Sequence, residues 1–169
     1  MIEIHPFGIF SPPKARYLLL GSFTAVKKED SYDWFYGSKR NQFWPMIEEV
    51  YGIKLLNKRS RQSLFTKLSI AIADMIYQCE RKDSNSLDSN LINLVFNTKG
   101  LNKLFKNNPL QEVFFSSKFV EKQFRKNFKD LVIKYSNVKF ITLPSPSPRY
   151  AAMSRVEKIK KYKEIFPKK

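Results

Sequence analysis

The stretch Arg16-Tyr17-Leu18-Leu19-Leu20-Gly21-Ser22-Phe23 decides how this chain folds. Three consecutive leucines leave no polar face, so the strand they form must be covered on both sides, and Gly-Ser ends it in a loop. Three more segments read the same way: Ser69 to Tyr77 (SIAIADMIY), Glu112 to Ser117 (EVFFSS) and Val138 to Leu143 (VKFITL). Helical spacing fills the intervals. Phe43, Ile47 and Val50 share a face from Gln42 to Tyr51, with Pro45 in the first turn and Gly52 at the stop. Leu101, Leu104 and Phe105 do so from Thr98 to Phe105, and Val120, Phe124, Phe128 and Leu131 from Lys118 to Leu131. Ser154-Arg155-Val156-Glu157 is a capping box, opening a last helix with Val156, Ile159 and Phe166 inward. Strands alternating with helices predict one α/β domain over residues 1–169, a three-layer α/β/α sandwich around a four-stranded, mainly parallel sheet.

Composition agrees with a single core. The chain has 169 residues, of which 43% are hydrophobic and 27% charged, and no apolar run approaches a membrane span. One cysteine, Cys79, allows no internal disulfide, no cysteine-based zinc site and no four-cysteine cluster, and it reads as a buried small residue. The start, Met1 to Pro6, has no basic and apolar leader, so a reducing cytoplasm is expected. The formal charge is +16. The first 117 residues hold 16 basic and 11 acidic side chains, the last 52 hold 15 and 4. So asymmetric a basic surface attracts polyanions, nucleic acid first among them, although lysines also simply solvate a surface.

In parallel sheets ligands bind beyond the carboxyl ends of the strands. The residues to watch are therefore Gly21 to Thr24, Asp74 to Gln78, Ser116 to Lys118 and Pro144 to Tyr150. The connection from Thr24 to Asn41 is long enough to be functional. It leads into Tyr36-Gly37-Ser38-Lys39-Arg40-Asn41-Gln42-Phe43-Trp44, where aromatics alternate with arginine and amides. Phe43 or Trp44 should pack the helix onto the sheet. Leu143-Pro144-Ser145-Pro146-Ser147-Pro148-Arg149-Tyr150 is stiff and carries hydroxyls, suited to pressing on a nucleic-acid backbone or to forming a rigid turn. His5, the one histidine, lies upstream of the first strand and reads as structural or solvent-exposed.

Taken together and in order, these motifs resemble the uracil-DNA glycosylase superfamily, and within it the branch named for hypoxanthine-DNA glycosylase. LLLGSF stands at the first motif, YGSKRNQFW at the Asn-x-Phe-Trp signature, IADMIYQCERKDSNSLDS at a segment with a strand-end Asp and a Cys-x-Arg, and LPSPSP at the second motif. The chain departs from the pattern at Thr24, Ser38-Lys39, Leu143 and Arg149-Tyr150.

The resemblance implies a monofunctional glycosylase that works on a base swung out of damaged single- or double-stranded DNA, in base excision repair, without metal or organic cofactor. It implies that Asn41 orients the attacking water, with Asp74 the alternative as general base. Gly21, Ser22, Phe23, Tyr36 and Phe43 would form the base site, Phe23 stacking on the base. Arg40, Ser116, Lys118, Ser145, Ser147, Arg149 and Tyr150 would contact DNA, the last two as a wedge. Lys158, Lys160, Lys161 and Lys163 would line a solvated helix face. With His5 read as structural or solvent-exposed, backbone N–H groups or amides would have to stabilise the leaving base. A monomer free of membranes and associated with the nucleoid is expected. Two other readings stay open: a non-catalytic nucleic-acid-binding module that keeps the fold, and a hydrolase of free nucleosides.

Overall fold

A computed structural model describes residues 1–26 and 32–169. Part of the connection expected from Thr24 to Asn41 thus lies outside the described residues. In chain order the elements are β1 (Ile2–Ile4), β2 (Tyr17–Gly21), α1 (Phe43–Tyr51), α2 (Lys58–Lys67), β3 (Ile70–Asp74), β4 (Ile76–Arg81), β5 (Leu91–Phe96), α3 (Thr98–Asn107), β6 (Glu112–Phe115), α4 (Lys118–Asn127), α5 (Lys129–Lys134), β7 (Lys139–Thr142) and α6 (Arg155–Ile165).

Strands β3-β2-β6-β7 form a four-stranded sheet in which every neighbouring pair is parallel. Its two faces follow from the period of two along each strand. Leu18, Leu20, Ala71, Ala73, Val113 and Phe115 face one core with Leu101, Phe105, Val120, Phe124 and Leu131 of α3, α4 and α5. Leu19, Ile70, Ile72 and Phe114 face the other, with Phe43, Ile47, Phe65, Ile159 and Tyr162 of α1, α2 and α6. The leucine run is completely buried, as a doubly covered strand requires. Each apolar side chain of that size contributes about 1.5–3 kcal/mol when buried.

Several elements differ from the sequence reading. The expected strand Ser69 to Tyr77 is two strands. Met75 N still bonds Gly21 O and Ile76 N bonds Ser22 O, after which the chain leaves the parallel sheet. As β4 it enters a second, antiparallel sheet of order β1-β4-β5. The helix expected from Lys118 to Leu131 breaks at Phe128, whose backbone leaves the helical region at φ −125°, ψ 37° while its ring stacks 5.0 Å from Phe124. Helix α2 was not foreseen because only Leu64 and Phe65 are buried in it, too few to mark a face. The capping box at Ser154 forms as expected, and Ile159 and Phe166 point inward. Val156 does not: it is 77% exposed, and Lys158 and Tyr162 take the inward positions.

Candidate active site at the strand ends

Buried polar side chains gather where β2, β3 and β6 stop. Ser22, Asp74 and Ser116 are each at least nine-tenths buried, directly at or after those ends. Gly21 and Asp74 are partners in the β2–β3 register. A Cβ on residue 21 would collide with Asp74 Oδ1 and stand 2.7 Å from Tyr36 Oη, so only glycine lets these two oxygens converge there.

Each of these groups is set by a neighbour. Ser22 Oγ donates to Asp88 Oδ1 at 2.6 Å. Burial pushes the Asp88 carboxyl above its ordinary range, the Ser22 hydrogen bond offsets part of that, and the Asp74 charge adds to it. Tyr36 has a left-handed backbone, φ 55°, and its buried hydroxyl finds no hydrogen-bond partner among the described residues. Burial raises the titration of that phenol well above the ordinary value, with Asp74 adding to the rise and the nearby Ser116 opposing it. The guanidinium of Arg81 donates to Glu3 Oε1 at 2.9 Å and to Thr24 O at 2.6 Å, and lies 5.6 Å over the ring of Phe23.

His5 belongs to this cluster. Its Nε2 lies 2.8 Å from Asp74 Oδ2, both side chains are 5% exposed, and its ring makes an edge contact with Phe23 at 5.5 Å. Of the two expectations for His5, structural or solvent-exposed, the second is thereby corrected: the side chain is buried. The short second sheet carries it there: Ile4 pairs with Gln78, and His5 N bonds Tyr77 O. A three-residue strand separated from the next regular element by residues 5–16 gives no periodicity to read, and a partner 69 positions away cannot be seen locally.

The remaining expected residues differ in where they sit. Phe43 is 1% exposed and packs against Tyr36 at 4.7 Å and against Trp44, so its ring is part of the core beneath the site. Asn41 is half-buried, and its Oδ1 accepts from Phe43 N at 2.9 Å, an amide turn at the entry of α1. Arg40, Lys118 and Arg149 are exposed. Ser145 Oγ accepts from Ser147 N at 3.2 Å, and Ser147 Oγ from Arg149 N at 3.3 Å, so the two hydroxyls stiffen their own loop.

That loop is clamped from behind. Gln42 N bonds Pro146 O, Tyr162 Oη donates to Pro144 O at 2.8 Å, and Lys158 Nζ donates to Ser147 O at 3.0 Å while lying 5.4 Å from the Tyr150 ring. Lys158 is 2% exposed, which corrects its placement on a solvated face, and burial lowers its pKa. Two surface hollows, of about 400 and 230 Å³, lie elsewhere: one beside Pro45, Glu49 and Arg155, the other beside Tyr51 and Phe166. Above Gly21 the space is filled by Asp74 and Tyr36. No group of three or more histidine, cysteine or acidic side chains is placed to hold a metal among the described residues. No helix among them is long and apolar enough to cross a membrane.

No protein-family model matches the chain, and no curated protein sequence does. Among solved structures the chain is similar to the solution NMR structure of a putative uracil DNA glycosylase from Methanosarcina acetivorans. The likeness has a TM-score of 0.66 at 18% identity and covers 98% of this chain and 97% of that one. At that identity what is shared is the architecture: this chain has a uracil-DNA glycosylase-like α/β fold.

Proposed function

We propose that the protein is a monofunctional DNA glycosylase of the hypoxanthine-DNA glycosylase type. It would accept a deaminated or damaged base, hypoxanthine, uracil or xanthine, swung out of DNA, and hydrolyse its N-glycosidic bond to leave an abasic site. The observation that carries this reading is the buried carboxylate of Asp74 and the half-buried ring of Phe23, both in contact with His5 at the ends of the parallel strands. Cleavage builds positive charge on the sugar, which a carboxylate in a dry site would stabilise. Asn41 Oδ1 uses one lone pair on Phe43 N–H and keeps a second for a water. Asp74 is the alternative acceptor of the water's proton. Phe23 supplies a stacking face, and Arg40, Lys118 and Arg149 with the Ser145–Ser147 loop supply contacts to phosphates.

The test uses purified protein with single- and double-stranded oligonucleotides containing hypoxanthine, uracil or xanthine. Alkali-labile sites are expected, at a rate that Asn41→Ala lowers by orders of magnitude while the variant stays folded. Absence of any strand break rejects the activity, and full activity in Asn41→Ala moves the water to Asp74. A second reading, a nucleic-acid-binding module without catalysis, is favoured by the engagement of Asn41 Oδ1 at the helix entry. It predicts salt-sensitive binding of the same oligonucleotides with no base release.

A further inference from the structure

The bonding of His5 assigns its tautomer. Nδ1 accepts from the backbone N–H of Phe7 at 3.3 Å, and a ring nitrogen that accepts carries no hydrogen. The hydrogen is then on Nε2, which donates to Asp74 Oδ2 at 2.8 Å. The main chain fixes where the ring starts, through His5 N to Tyr77 O at 2.9 Å. Three aromatic rings fix its plane: Phe7 at 5.9 Å, Phe23 at 5.5 Å and Phe35 at 5.4 Å.

We propose that His5 is a positioning residue for the strand-end site, acting through Asp74. By committing Oδ2 it leaves Oδ1, on the side of Gly21, as the oxygen without a hydrogen bond from the described residues, and its edge contact with Phe23 ties the carboxylate's orientation to the ring that would stack on a base. The inference rests on the reading of Asp74 and Phe23 as site residues. A histidine serving only to fill space would show neither a fixed tautomer nor a dependence on Asp74.

The chain has one histidine, so selective labelling with ¹⁵N-histidine yields a single imidazole spectrum. Nδ1 is expected as an unprotonated nitrogen and Nε2 as an N–H slow to exchange with solvent. In Asp74→Ala the Nε2 signals should move and exchange faster. A hydrogen on Nδ1, or a spectrum unchanged in Asp74→Ala, overturns the proposal. On lesion-bearing oligonucleotides, His5→Gln keeps a donor near the same oxygen and should retain most of kcat, whereas His5→Leu should lose about tenfold or more with KM unchanged. Equal loss in both variants, loss in KM alone, or full activity in a folded His5→Leu also overturns it. Absence of base release by the wild-type chain would sink the glycosylase reading instead, and the spectra would then decide only whether His5 holds Asp74.

Discussion

Gly21 and Asp74 close neighbouring strands in register, and the carboxylate of one occupies the space a side chain on the other would need. The glycine is therefore a steric requirement of the site and not a flexible joint. Gly21→Ala should destabilise the fold by about 1–3 kcal/mol, because neither Asp74, held by His5, nor the buried Tyr36 can yield cheaply. Urea unfolding measures the loss. A variant as stable as the wild type would mean that both oxygens move freely.

Tyr36 makes the opposite case. A buried hydroxyl without a partner costs about 1–3 kcal/mol of desolvation. Tyr36→Phe removes that group and keeps the ring against Phe43, so the folded state should gain up to about 2 kcal/mol or stay unchanged. Clear destabilisation in the same unfolding assay would show that the hydroxyl is bonded after all.

Asp88 should make stability depend on pH. Burial raises its folded pKa above the unfolded value, so the folded state favours the protonated carboxyl. Its favourable contribution is present below the unfolded pKa and is lost as pH rises through the folded one. Asp88→Asn keeps an acceptor for Ser22 and carries no charge. The variant should therefore be the more stable protein at neutral pH, with the advantage fading on acidification through the carboxylate range. Thermal unfolding across that range checks it, and an advantage that persisted at the acid end would refute the electrostatic account.

Lys158 holds the proline-serine loop from the protein side. Lys158→Met keeps the apolar stem but frees Ser147 O and Gln42 Oε1. The two lost hydrogen bonds and the relieved desolvation of a buried charge oppose each other, so global stability should shift by no more than about 1 kcal/mol. Local order should respond more: hydrogen exchange of the amides of residues 145, 147 and 149 is expected to accelerate. Unchanged exchange would mean that Tyr162 and Gln42 suffice to hold the loop.

Much of this architecture could be read directly from residue order. A strand buried on both faces must be apolar at consecutive positions, and Leu18-Leu19-Leu20 and Val113-Phe114-Phe115 state this without reference to anything distant. Helices α1, α3 and α4 announce themselves through one-sided apolar spacing, and Gly52 and Ser154 through local cap chemistry. Those are short-range properties, which is why the parallel sheet, its covering helices and the gathering of Gly21, Ser22, Asp74 and Ser116 at one edge were legible. Tertiary structure alone decided the rest. The bond from His5 to Asp74, the burial of Lys158 and the filling of the space over Gly21 by Tyr36 join segments that are not neighbours along the chain. Their partners are chosen by packing in three dimensions, and neither periodicity nor composition along the chain carries that choice.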